Sequence, residues 1–355
     1  MKRPRITLAL ALLILALVAG PFAAGTASAA HQPPAGGKIV VANRGSGDIT
    51  VIDAQSGALI DTITLPQGPE DNFPEPMYVV FTRPGDQVLV GDRANDRVVS
   101  FDADDFSVIG TAPAGQGVFH MWADERGRQL WVNNDIDHTT TVIDPRTLSV
   151  LATVPTPADL VAQGGFPHDV ILDPQGKLAY ITVLGLPGPN DYVVQFRTDT
   201  FAEIGRAAVG KDPHLSLTGS NNLLYVPSQG SNAVYILNRK TMAQVKVLDI
   251  PGAHGAGMSF DGNYFYTTNL PGGGSDAIFT IETANNTIVG DPVDTPYAVP
   301  HNIALTPLPD KLFLTHSGPT ADKVTFYNVS GNAPIPVFAG EVTVGLNPFG
   351  ISFVP

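Results

Sequence analysis

A unit of short apolar strands recurs along this chain every 40 to 50 residues or so, and that period leaves few folds open. Five histidines mark it. His120, His168, His214, His254 and His301 each follow a short loop and open an apolar run: GVFH-MWAD, GFPH-DVILD, KDPH-LSLTG, GAH-GAGMSF and VPH-NIALTP. Successive anchors lie 48, 46, 40 and 47 residues apart. Met77 opens a similar run 43 residues before His120, and Phe349 opens one 48 residues after His301. Within each unit a strand A ends in a polar turn such as DPQGK or TGSNN. Strand B follows (LAYITV, LLYVPS, YFYTTN, KLFLTH), then strand C (ITVID, RVVSFD, AVYILN), then strand D (ALIDTITL, SVLATV, QVKVLDI). The runs are β-branched and aromatic, are bounded by turn residues and lack a long helical period. Four such strands per unit make a propeller blade.

The A strands opening at Met77, His120, His168, His214, His254, His301 and Phe349 predict seven blades. The last, FGISFVP, has an A strand and no chain after it. Near the other end, KIVVANRGSGDITVIDAQSGALIDTITL reads as B, C and D without an A. The N-terminal strands and the C-terminal strand therefore complete one blade, which leaves no free sheet edge. The expected fold is an all-β, seven-bladed β-propeller forming one domain over 37–355. Tyr180, Tyr225, Tyr266 and Trp131 recur in strand B and are expected between blades. Asp53, Asp102 and Asp144 end C strands and are expected in turns.

The first residues read differently. MKRPR, then LALALLILALVAG, then TASAA give a basic region, an apolar core and a small-residue cleavage site. This pattern predicts a secretory signal peptide over 1–30, a flexible linker over 31–36 and bacterial export to the periplasm or medium. Cleavage after Ala29 fits Ala27-Ser28-Ala29; cleavage after Ala30 would make His31 the new N-terminus. The apolar core is short for a membrane span, so no membrane insertion is expected. The chain has no cysteine, which excludes thiolate metal sites and covalent haem through C-x-x-C-H. Its formal charge of −13 argues against a nucleic-acid partner and suits attraction of a cation.

In a propeller, strand A lines the central channel, so the five anchor histidines should converge at one channel mouth. The chain has eight histidines in all, which makes this concentration a selected feature. His316 ends the B strand KLFLTH and His138 lies in the loop NNDIDHT, both assigned to the same end. The long connections LPQGPEDNFPEPM and PTPADLVAQGGFPH also face that end and bring Glu70, Asp71 and Glu75 beside Met77. Imidazole is the commonest side-chain metal ligand. The candidate metal set is therefore His120, His168, His214, His254, His301 and His316, with Met77, His138, Asp169, Glu70, Asp71 and Glu75 as further members. Asp169 could orient an imidazole, and Asp212 reads as a turn residue. Copper is the favoured ion because Met77 would add a soft ligand and the export route permits copper. A plainer reading stays open, in which each histidine bonds neighbouring carbonyls and only reinforces a blade junction.

The units VVANRGSGDITVIDAQSGALIDTI and LLYVPSQGSNAVYILNRKTMAQVKVL resemble the YVTN family of β-propeller repeats over nearly the whole mature chain. That resemblance implies the fold and leaves the activity open, because a fold hosts many functions. The placement of blade-opening histidines is similar to the propeller copper sites of nitrous oxide reductase and thiocyanate dehydrogenase. It implies an exported copper-dependent oxidoreductase acting on a small molecule, although the cysteine-bearing electron-transfer domain of nitrous oxide reductase has no counterpart here. Streptogramin lyases and propeller lactonases are also similar in fold. They imply a metal-assisted lyase or lactone hydrolase, with Glu70, Asp71, Glu75 or His316 as candidate bases. The remaining reading is a non-catalytic binding or surface propeller with an unknown protein partner.

Overall fold

The computed structural model describes residues 36–83, 85–217, 221–270, 276–307 and 310–355. The expected signal peptide and all but the last residue of the linker lie outside the described residues. Seven antiparallel sheets follow one another along the chain. Six are built from consecutive strands, over 76–113, 118–155, 166–209, 213–249, 253–294 and 300–343. In the seventh, the C-terminal strand Pro348–Val354 pairs with Lys38–Asn43, which continues into Asp48–Asp53 and Leu59–Thr64. The register there runs Lys38↔Val354, Ile39↔Phe353, Val40↔Ser352 and Val41↔Ile351. The expected seven-bladed propeller, closed by both ends of the chain, is therefore the fold. In the blade over 253–294 the outer strand is split into Thr287–Ile288 and Val293–Asp294. Between them Gly290 takes a left-handed φ of 69°, which a strand does not accommodate. Among the described residues no helix is long and apolar enough to cross a membrane.

The core lies between the blades. Seven apolar clusters each join two neighbouring sheets, so every blade is held from both sides. Alternation along strands B and C supplies them, because successive side chains point to opposite faces and both faces are covered. Trp131, Tyr180, Tyr225 and Tyr266 are fully buried here, as expected from strand B. Their polar ends are satisfied in the next blade or beside it. The Tyr180 hydroxyl donates to the Arg239 carbonyl at 2.8 Å, and that of Tyr266 donates to the Pro334 carbonyl at 3.0 Å. The Trp131 indole N–H donates to Gln129 Oε1 at 3.0 Å, and the Gln129 amide donates in turn to the Thr198 carbonyl of the next blade. Trp131→Ala would leave a gap between two blades. It should lower the unfolding free energy by about 3–5 kcal/mol. The shift in urea midpoint at unchanged slope measures this; a loss below about 1 kcal/mol would mean the blades close over the gap.

Candidate functional site

The strand A openings share one irregularity. In six blades strand A carries one residue more than strand B just after its first pair, so two residues of A face one of B. Bulges of this kind re-aim side chains and are common beside functional sites. Proline or a small residue precedes most of them: Pro76, Pro167, Ala253, Pro300 and Pro348. Strand B then ties down the displaced backbone. Thr182, Thr268 and Thr315 accept the N–H groups of Asp169, Gly255 and Asn302 through Oγ1 at 2.8, 2.9 and 3.0 Å. Gly255 is required at its place, since a Cβ there would collide with the His301 carbonyl of the next blade.

The first bulge position holds Met77, Phe119, His168, His254, His301 and Phe349, and the unbulged blade places His214 after Pro213. His120 occupies the second position, with Tyr78, Asp169, Asn302 and Gly350. The equal placement expected of the five histidines is thus corrected by one residue in one blade. Val118 stands there in the place of proline, so Phe119 takes the first position and His120 falls behind it.

The first-position rings form a continuous circle. Centroid separations run Phe119–His168 4.5 Å, His168–His214 4.9 Å, His214–His254 3.7 Å, His254–His301 4.6 Å, His301–Phe349 4.3 Å and Phe349–Phe119 6.0 Å. Four imidazoles therefore stand together, with two phenylalanines closing the circle. Tyr78 packs against Phe119, Phe349 and His120. On the phenylalanine side, Arg44 and Arg93 lie over Phe349 and Phe119 and are ion-paired with Glu75 and Asp135.

Asp169 is the centre of charge. Its carboxylate is buried, with Oδ1 3.0 Å from His168 Nδ1 and Oδ2 accepting the Leu215 N–H at 3.1 Å and lying 3.5 Å from His214 Nδ1. Burial works against its charge, but His120, His214 and His168 outweigh it and hold the carboxyl well below the usual carboxylate range. Burial likewise works against charge on His214, and Asp169 with Asp212 outweighs it, so this imidazole is pushed up. The others go the opposite way. Burial, then the repulsion of His214, brings His301 down to about 3. The same causes put His254 well below an ordinary histidine, and burial lowers His120.

Three atoms of this cluster are buried without a hydrogen-bond partner: His168 Nδ1, Asp169 Oδ1 and His214 Nε2. The first two are close but not aligned as a hydrogen bond. A buried polar atom without a partner is costly, and here three occur in one place. His168, Asp169 and His214 also bring one ligand atom each within 4.8 Å of one another, so they form a group able to hold a metal ion.

Hydrogen bonds fix the remaining tautomers. Val170 N–H donates to His120 Nδ1 at 3.2 Å, and Asn302 Nδ2 donates to His301 Nδ1 at 2.9 Å, so both neutral rings carry their proton on Nε2. His254 Nδ1 donates to Gln229 Oε1 at 2.9 Å, which leaves its Nε2 as a lone-pair base.

Several expected members stand elsewhere. Met77 is fully buried in the apolar cluster with Leu89, Val98 and Val118. His316 lies on strand B with both nitrogens engaged, Nδ1 donating to the Ala298 carbonyl at 3.2 Å and Nε2 accepting from Thr325 Oγ1 at 2.9 Å. His138 takes a left-handed φ of 52° in its hairpin, and no ring contact joins it to the circle among the described residues. Glu70 and Asp71 are exposed in a short turn, and Glu75 is committed to Arg44. The sequence reading missed Tyr78, Phe119, Asn302, Gln229, Arg44 and Arg93. Aligning the blades on the proline before strand A, instead of on histidine, would have found Tyr78 and Asn302; Phe119, behind Val118, carries no such marker.

Below the circle the channel widens into a chamber of about 720 Å³. Tyr78, His120, Asp169, His214, His254 and Asn302 line its histidine end, and it follows the A strands to Arg83, Asp124 and Phe260 at the A–B turns.

Solved structures of low identity share the fold. The periplasmic gluconolactonase of Pseudomonas aeruginosa is 17% identical with a TM-score of 0.70, over 90% of this chain and 99% of that one. A Desulfotomaculum acetoxidans protein of unknown function is 14% identical with a TM-score of 0.70, over 89% and 98%. Hydrazine synthase of Kuenenia stuttgartiensis is 15% identical with a TM-score of 0.67, over 79% and 90%. No curated protein matches the chain. The family described as lactonase, 7-bladed beta-propeller matches residues 23–246. By that match, across more than half its length, the chain belongs to the seven-bladed lactonase family of β-propellers.

Proposed function

We propose that this protein is an exported lactone hydrolase whose reacting centre is the histidine end of the chamber. The observation that carries the reading is the convergence there of a base, a fixed N–H donor and a buried carboxylate. Family membership and the gluconolactonase fold relative support it. Hydrolysis needs a water made nucleophilic and a carbonyl oxygen stabilised as it gains charge. His254 Nε2 accepts the proton of the attacking water, while Gln229 holds the ring in that tautomer. Water oxygen bonds to the lactone carbonyl carbon, and the ring C–O bond then breaks. The proton passes to the departing alkoxide oxygen, giving the open hydroxy acid. His120 Nε2–H is the donor for the developing oxyanion. Tyr78, kept protonated by burial, fixes the position of Asn302.

His168, Asp169 and His214 would hold a divalent ion, and its three buried partnerless atoms fit that use. Such an ion supplies charge that polarises the lactone carbonyl. Two imidazoles and a carboxylate suit zinc or iron(II). Met77, the soft ligand expected for copper, has its side chain in the core. Purified without a histidine tag and dialysed against zinc, the protein should retain one ion per chain and open D-glucono-1,5-lactone or γ-butyrolactone. Loss of hydrolysis in His254→Gln, with an unchanged circular dichroism spectrum, is expected. No turnover of any simple lactone, with or without zinc, iron(II) or manganese, would overturn the proposal. Copper taken up in preference to zinc, with visible absorption, would restore the oxidoreductase reading.

A further inference from the structure

We infer that the chamber selects lactones carrying an apolar chain, with the lactone head at the histidine end and the chain laid toward the A–B turns. This rests on the lactone-hydrolase reading for the head group and on the chamber walls for the chain. One group of polar side chains stands at the histidine end, where Tyr78, His120, Asp169 and Asn302 meet. Between it and the charged groups at the A–B turns the walls are largely apolar: Val80, Met258, Ile303, Leu305 and Ile351. Val80, Met258 and Ile351 pack on the clusters between blades yet stay half-buried, so part of their apolar surface is left uncovered. At the open end Trp122 and Phe260 are 41% and 60% exposed, large aromatic faces left in contact with water.

That gradient matches a particular ligand. A pocket with a few convergent polar groups and apolar walls orients a molecule by its head and binds it by its body. Strand A rises about 3.3 Å per residue, so the path from Tyr78 to Arg83 is about 16 Å, room for a chain of medium length behind the head. A polyhydroxy lactone of sugar type would leave most of its hydroxyls against Met258, Leu305 and Ile351, with Ser352 the polar side chain among them. The charged groups of the chamber, Arg83, Asp124, Glu125 and Asp173, sit at the open end, where a chain terminus would reach water.

The test uses the purified full-length mature chain with γ-butyrolactone, γ-octalactone, γ-decalactone and D-glucono-1,5-lactone. Each methylene that enters the wall region should lower KM by roughly three- to fourfold. The sugar lactone should be the poorest of the larger substrates. Binding is read separately with the non-hydrolysable γ-decalactam. The chain has two tryptophans and Trp131 is fully buried, so quenching should come from Trp122 and vanish in Trp122→Phe. Phe260→Asp, at an exposed site, should raise KM for γ-decalactone several-fold and leave γ-butyrolactone unchanged. Met258→Gln should do the same deeper in the channel. A KM independent of chain length, or a preference for the sugar lactone, would overturn the inference. If no lactone is opened but the lactam still quenches Trp122 in a length-dependent way, the chamber assignment holds and the hydrolase reading fails.

Discussion

Deletion of residues 348–355 should abolish cooperative folding, although it removes only the last short strand. That strand is the inner edge of the seventh blade, paired along its length with Lys38–Asn43. Its loss would expose the backbone edge of a fully buried strand and open the circle. Val354 belongs to the apolar cluster shared with the first full blade, and Ile351 and Phe353 pack on the cluster shared with the sixth. Phe349 closes the aromatic circle, and its carbonyl accepts from Asn302 Nδ2 at 3.0 Å and Thr315 Oγ1 at 3.1 Å. An open edge of this kind also templates aggregation. Circular dichroism melting and gel filtration should therefore show a broad transition and soluble aggregates. A circular permutant is the control. Joining 355 to 36 through a short linker, with new termini in the exposed 66–72 connection, keeps every strand pair. It should melt within a few degrees of the parent. If the deletion melts as sharply as the parent at the same temperature, the closing strand does not hold the ring.

The circle itself could be read from the chain because repeats report architecture directly. Strand B and strand C motifs recur in order, and FGISFVP at one end lacks the three strands that KIVVANRG and its continuation supply at the other. The site was harder, for two physical reasons. A bulge moves the register by one residue, and nothing in a string of apolar letters marks an extra residue. His120 was therefore counted with the other histidines, although Val118 and Phe119 occupy the places that Pro167 and His168 hold. Strand alternation is the second reason. Thr315 faces the next blade, bonding the bulge of strand A and the Phe349 carbonyl, so the next side chain, His316, points to the other face and bonds Thr325. Being at the right end of a strand does not decide which face a side chain takes. Asp169 was noticed only as a neighbour of His168. Its central place depends on His214 and His120, which come from blades on either side and meet it only when the ring closes.

Replacing His168 by phenylalanine should remove hydrolysis and leave the protein about as stable. The circle already accepts phenylalanine at Phe119 and Phe349, so the ring fits its surroundings. The change deletes a buried Nδ1 without a hydrogen-bond partner, and such an atom costs about 1–3 kcal/mol; it also removes the imidazole 3.0 Å from the buried Asp169 carboxylate, which offsets that gain. Asp169→Asn is the companion. It keeps an acceptor for the Leu215 N–H and removes a carboxylate that is expensive to bury. His214 then loses the carboxylate that pushes it up, so the net change in stability should be small. In activity both variants should fall by about 10²–10⁴ in kcat/KM, and both should lose bound zinc. Gain or constancy of stability with loss of function is the mark of groups kept for chemistry at the expense of folding. Histidines that merely tie blades together make the opposite forecast. His168→Phe would then lower the melting temperature and leave lactone turnover intact, and that pair of results would reject the site.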